Sequence, residues 1–152
     1  MNKLSARSPR KTGRTRPAAT DQVMFSLLAA AHSVERRLEL AMEEVGLSTA
    51  KFSALTHLVE AGESLSLSEC AKRMTCVRSN ITQLMDRLEA EGLVTRVDDP
   101  QDRRGVRAAL TPLGVERQAA GAKQLAQVQK EFAKSLAGAD RDVLARVLAA
   151  MR

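Results

Sequence analysis

Arg78, Ser79, Asn80, Thr82, Gln83 and Arg87 form the densest set of polar, chemically useful side chains in this 152-residue chain. Arginine, asparagine and glutamine end in forked groups that match the edges of guanine and adenine, and serine and threonine hydroxyls suit phosphate oxygens. Interleaved with them, Val77, Ile81, Leu84, Met85 and Leu88 recur at three- and four-residue steps. That spacing predicts a helix from Val77 to about Glu91 with one apolar face and one face fit to read base edges. A second cluster, Asp98-Asp99-Pro100-Gln101-Asp102-Arg103-Arg104-Gly105, reads as a turn with a basic tip. Other chemistry is thinly supplied. His32 and His57 stand far apart and the carboxylates are scattered, so no metal site, cofactor or nucleophile–base pair is expected, and no enzyme. Phe25, Phe52 and Phe132 are the whole aromatic complement, which argues against base-stacking platforms.

The elements that must position these residues follow from the flanking pattern. Residues 1–19 are polar, basic and broken by Pro9, Gly13 and Pro17, which predicts a disordered arm. Asp21 is placed to cap a first helix running to about Val45, with a seam of Met24, Leu27, Ala31, Val34, Leu38, Ala41 and Val45. Such a seam packs on a partner subunit as readily as on its own core. Ser48 opens a second helix ended by Gly62, and Leu65 lies in a short extended stretch. Ser66-Leu67-Ser68-Glu69 is a capping box that starts a third helix to about Met74, before a tight turn at Thr75-Cys76. After the fourth helix, Val94–Val97 and Val106–Leu110 read as two strands of a hairpin. Thr111-Pro112 then sets a cap and a first-turn proline for a long fifth helix to about Leu136, and a last helix carries Val143, Leu144, Val147, Leu148 and Met151.

Short helix, tight turn, longer helix and hairpin is the order of a winged helix-turn-helix, over about residues 48–111. The expected fold is mainly α with a small β-hairpin wing. The charge distribution agrees. The formal charge is +6, yet residues 1–17 hold six basic residues and no acid, leaving 18 basic against 18 acidic in the rest. Within that neutral body, Lys72, Arg73, Arg78, Arg87, Arg103, Arg104 and Arg107 gather where double-stranded DNA would lie, while residues 35–69 are net acidic. The arm is then suited to sequence-independent phosphate contacts that steepen the salt dependence of binding.

The run from Ser79 to Arg96, with Asp86-Arg87-Leu88-Glu89 ending the fourth helix, resembles the MarR family of bacterial winged helix-turn-helix transcriptional regulators. The Asp102-Arg103-Arg104 wing leading to Leu110-Thr111-Pro112-Leu113-Gly114 belongs to the same resemblance, which spans about residues 21–152. It implies one domain over 20–152, with dimerisation helices at about 21–45 and 112–152, and a homodimer on an inverted-repeat operator. It also implies a repressor released by a small-molecule effector. Carried over by position, Arg78 to Gln83 meet the major groove, Arg104 enters the minor groove, Asp102 holds Arg104, and Asp86 pairs with Arg96. Two positions depart from the family pattern. Val77 stands where a capping residue is usual, leaving Thr75 to cap, and Cys76 replaces an apolar turn residue.

For the response to a signal, His32, Arg36 and Arg37 on the first helix and His57 on the second are the polar candidates for contacting an effector. Thiol-based redox control through Cys70 or Cys76 is the alternative, and a winged helix used only for protein contacts is another. Two cysteines are too few for a disulfide scaffold and fit a reducing compartment. Both are expected to face the core, and the family's peroxide sensors carry their reactive cysteine in the first helix, which has none here. The basic start followed by Val23–Ala31 imitates a targeting peptide, but the apolar pattern continues well past Ala31. No run is long enough to span a membrane, and the chain reads as cytoplasmic, nucleoid-associated when bound to DNA.

Overall fold

A computed structural model describes residues 19–74, 78–100, 102 and 105–151. The basic arm, the Thr75–Val77 turn with Cys76, and Arg103 and Arg104 therefore lie outside the described residues. The elements are α1 (Ala19–Glu43), α2 (Thr49–Ala61), β1 (Leu65–Ser66), α3 (Leu67–Arg73), α4 (Arg78–Ala90), β2 (Val94–Asp98), β3 (Val106–Leu110), α5 (Pro112–Ser135) and α6 (Arg141–Ala149). The described residues divide into two compact units, one ending at Ser33 and one beginning at Val34. In the first, the described residues are helical, and Val23, Met24, Phe25 and Leu28 are exposed.

The second unit is built by local signals that act as expected. Ser48 caps α2 by accepting the Lys51 N–H at 3.2 Å, and Gly62 ends it at φ 68°, a left-handed conformation that costs glycine little. Ser66 and Glu69 form the full capping box of α3: the Glu69 N–H donates to Ser66 Oγ at 3.2 Å and the Ser66 N–H to Glu69 Oε2 at 2.8 Å. Thr111 caps α5 with Pro112 in the first turn. The expected cap at Asp21 does not hold, because α1 is already helical from Ala19 and Asp21 sits inside it.

Leu65 does more than extend. With Ser66 it forms β1, the outer strand of a three-stranded antiparallel sheet ordered β1-β3-β2, so the hairpin strand β3 is central. Leu65 pairs with Ala108 and Ser66 with Arg107, while β2 and β3 pair from Val94–Leu110 to Asp98–Val106. The core under this sheet takes Met42, Leu55, Leu58, Leu65, Ile81, Met85 and Leu88, all fully buried. Each such side chain contributes about 1.5–3 kcal/mol by leaving water, so this core fixes how α4 stands against α2 and the sheet. Met42 is off the expected α1 seam. The helix presents Met42 to the core, with Leu38 and Val45 packed beside it.

Candidate nucleic-acid interface

On α4, Ile81, Met85 and Leu88 are buried at four- and three-residue steps, which turns Asn80, Thr82, Gln83, Asp86 and Arg87 outward, all exposed. Asn80, Gln83 and Arg87 share one side of the exposed face, three and four residues apart. Arg78 and Ser79 stand in the first turn of the helix. Asn80, Thr82, Gln83 and Arg87 thus form an exposed polar surface, and the opposite face of α4 is anchored.

Two acids on α4 fasten it to the wing. Arg96 on β2 donates to Asp86 and, through Nη1, to Glu89 Oε2 at 2.9 Å. Its backbone N–H also donates to Glu89 Oε1 at 3.2 Å. The Asp86 hydrogen bond, aided by the charge of Glu89, holds the Arg96 guanidinium even above its usual range. Asp86–Arg96 was expected, whereas Glu89 was not singled out. Its signal was available, since it lies three residues after Asp86 on the same helical face. At the far end of α4, Glu91 pairs with Lys51 of α2.

The wing turn is closed by its own backbone. The Asp99 N–H donates to the Gly105 carbonyl at 3.0 Å, the Gly105 N–H to the Asp102 carbonyl at 2.7 Å, and the Asp102 N–H to the Asp99 carbonyl at 3.3 Å. Asp102 is exposed at this tip. Arg107 departs from its expected place on the basic surface. Its side chain is only 17% exposed and is turned toward Ser64, Glu69 and Asp99. Counting charge along the sequence assigned to the surface an arginine that the fold spends internally.

The effector candidates are not gathered by a described hollow. His32 lies in the first unit and is exposed. Arg36 is exposed, and His57 is half-buried with Nδ1 3.3 Å from Glu60 Oε2. One surface hollow of about 360 Å³ is lined by Leu58, Val59, Gly62, Ser64, Leu110 and Val115, among others. Another, of about 260 Å³, is lined by Gly46, Glu91, Leu93, Leu113 and Arg117. None of His32, Arg36, Arg37 and His57 lines either. Cys70 is buried as a free thiol, and burial pushes its ionisation above the usual thiol range. Among the described residues no group of His, Cys, Asp and Glu could hold a metal, and no helix is long and apolar enough to cross a membrane.

Residues 47–106 match the model of the MarR family. The transcriptional repressor MdtR of Bacillus subtilis is 34% identical over 100 residues, covering 63% of this chain and 64% of MdtR. The chain thus spans just under two thirds of the length of such curated relatives. Among solved structures, a mutant MarR from Escherichia coli complexed with operator DNA has a TM-score of 0.72 at 21% identity, covering 86% of this chain and 93% of that one. A structure of Bordetella bronchiseptica BpsR, described as regulated in its DNA binding by 6-hydroxynicotinic acid, has a TM-score of 0.73 at 24% identity, covering 90% and 96%. At these identities the two structures speak for the fold. The helix-turn-helix and most of its three-stranded sheet lie on the stretch that the family model matches, and residues 47–106 are a MarR-family domain.

Proposed function

We propose that this chain is a sequence-specific DNA-binding regulator that acts as a homodimer on a palindromic operator, represses from it, and is released by a small-molecule effector. The observation that carries the reading is the outward polar face of α4, whose inner face is locked in the core and whose end is tied to β2 through Arg96. A helix held this way presents Asn80, Gln83 and Arg87 at fixed spacing, which is what reading base edges in a major groove requires. Arg78 and Ser79 in the first turn and Thr82 complete the α4 contacts. At the wing tip Arg104 would enter the adjacent minor groove, held in place by Asp102, with Arg103 beside it on the same basic tip.

A dimer is supported by apolar side chains that the described fold leaves in water. Phe132 on α5, Val143, Val147 and Leu148 on α6, and Met151 just after it are 40% to 63% exposed. Burial against a second copy removes that cost. Repression and ligand release rest on what is said of MdtR and BpsR. Selecting duplexes from a random library with the full chain tests the reading. The expected product is an inverted repeat with half-sites about 34–36 Å apart, one turn of DNA. Arg104→Ala should weaken binding to it severalfold while the protein stays folded. Enrichment of no common sequence would overturn the proposal.

A further inference from the structure

Arg107 is the second residue of the central strand, between Ser66 on β1 and Val97 on β2. From there its guanidinium reaches three separate parts of the DNA-binding unit. Nη2 donates to the Ser64 carbonyl at 2.6 Å, and Nε lies 3.2 Å from that oxygen and 3.1 Å from Ser64 Oγ, in the loop that enters β1. Nη2 also lies 3.3 Å from Glu69 Oε2, the carboxylate that completes the capping box of α3. Nη1 donates to Asp99 Oδ2 at 3.2 Å, at the point where β2 gives way to the wing turn. The Asp99 side chain is 11% exposed and that of Arg107 17%, so this pair is largely shielded from solvent.

We propose that Arg107 is a positioning residue, the brace that sets the wing against the helix-turn-helix, and not one of the cations that touch DNA. The proposal rests on reading the wing as a DNA contact. The chemistry favours a brace because the planar fork of an arginine can serve several acceptors at once, whereas a lysine ammonium cannot reproduce that geometry. The same contacts engage all three nitrogens of the guanidinium, which draws it away from a phosphate. Asp99 has a matching consequence. An acid beside DNA normally weakens binding, so its removal tightens it, but an acid that holds a brace does the opposite.

The test compares Arg107→Lys, Arg107→Met, Asp99→Ala and the Arg107→Met/Asp99→Ala double variant on the selected duplex. Arg107→Lys and Arg107→Met should both weaken binding about tenfold, as loss of charge-assisted hydrogen bonds predicts. Asp99→Ala should weaken binding too, and the double variant should be no worse than about twofold below the weaker single one, since coupled residues are not additive. Lysine at 107 binding as the wild type, tighter binding by Asp99→Ala, or additive losses would each overturn the brace. Amide exchange without DNA separates this from the DNA reading. In Arg107→Met the Asp99 and Gly105 amides should exchange at least about tenfold faster, and unchanged exchange would refute the brace whether or not DNA binds.

Discussion

Glu89 grips Arg96 at two points, the backbone N–H at 3.2 Å and the guanidinium at 2.9 Å, and so joins the fourth helix to the first wing strand with one carboxylate. Asp86 supplies the third bond and does most to keep Arg96 charged, yet its side chain is 54% exposed against 37% for Glu89. Solvent competes more strongly for Asp86. Glu89→Ala should therefore cost more stability than Asp86→Ala, about 1–2 kcal/mol against about 0.5 kcal/mol, because it also strands a backbone donor. Urea unfolding of the two variants checks the order. A larger loss in Asp86→Ala would show that the doubled contact contributes little.

Glu69 gives a pH dependence with a definite sign. The Ser66 backbone N–H and hydroxyl hold its carboxyl below the usual range, and Arg107 and Arg73 add to this. A carboxylate whose proton is held less tightly in the folded state stabilises the fold above its unfolded pKa and stops doing so as pH falls through its folded pKa. Glu69→Gln should destabilise the protein at neutral pH, and the gap to the wild type should close from about pH 4.3 downward. Unfolding measured between neutral pH and about pH 3 reads this directly. A gap that stays constant with pH would mean that the capping box works by shape and not by charge.

Local chemistry was legible in the sequence wherever a few neighbouring residues decide the outcome. Ser48, the Ser66–Glu69 box and Thr111-Pro112 each start a helix where their own hydrogen bonds or ring geometry dictate. The α4 face was legible for the same reason, since helical spacing alone separates Ile81, Met85 and Leu88 from Asn80 and Gln83. Long-range partners were not. Arg107 looked like a surface cation because its acceptor Ser64 is 43 residues away, and no periodicity reports a contact at that separation. Met42 was missed because a strict seven-residue seam cannot say which neighbouring position the core takes when a 3.6-residue helix drifts against it.

Cys70 should be chemically quiet. It is 2% exposed and its thiol is kept protonated by burial, with the charge of Glu69 acting the same way. Oxidation and alkylation both require an accessible thiolate. In a Cys76→Ser variant, where Cys70 is the sole cysteine, peroxide should leave a free thiol by mass spectrometry, and iodoacetamide should label it rapidly only in denaturant. Sulfenic acid formed at Cys70 in the folded protein would restore the redox reading.

Gly114 marks the tightest joint between the wing and the fifth helix. A Cβ built there would lie 2.0 Å from the Leu93 carbonyl oxygen, a backbone atom that cannot swing aside. That oxygen already accepts the Thr111 N–H at 3.2 Å, and Thr111 Oγ1 donates to the Gly92 carbonyl at 2.7 Å while accepting the Gly114 N–H at 3.0 Å. Moving α5 away to admit a methyl group would break this set together. Gly114→Ala should cost more than about 3 kcal/mol, in the range of severe overpacking. Gly62→Ala is the natural control, because it faces no atom within 4 Å and meets only the strain of φ 68°. It should cost about 1 kcal/mol. Urea midpoints of the two variants decide the matter, and equal losses would mean that the α5 start yields without breaking its bonds to the Gly92–Leu93 turn.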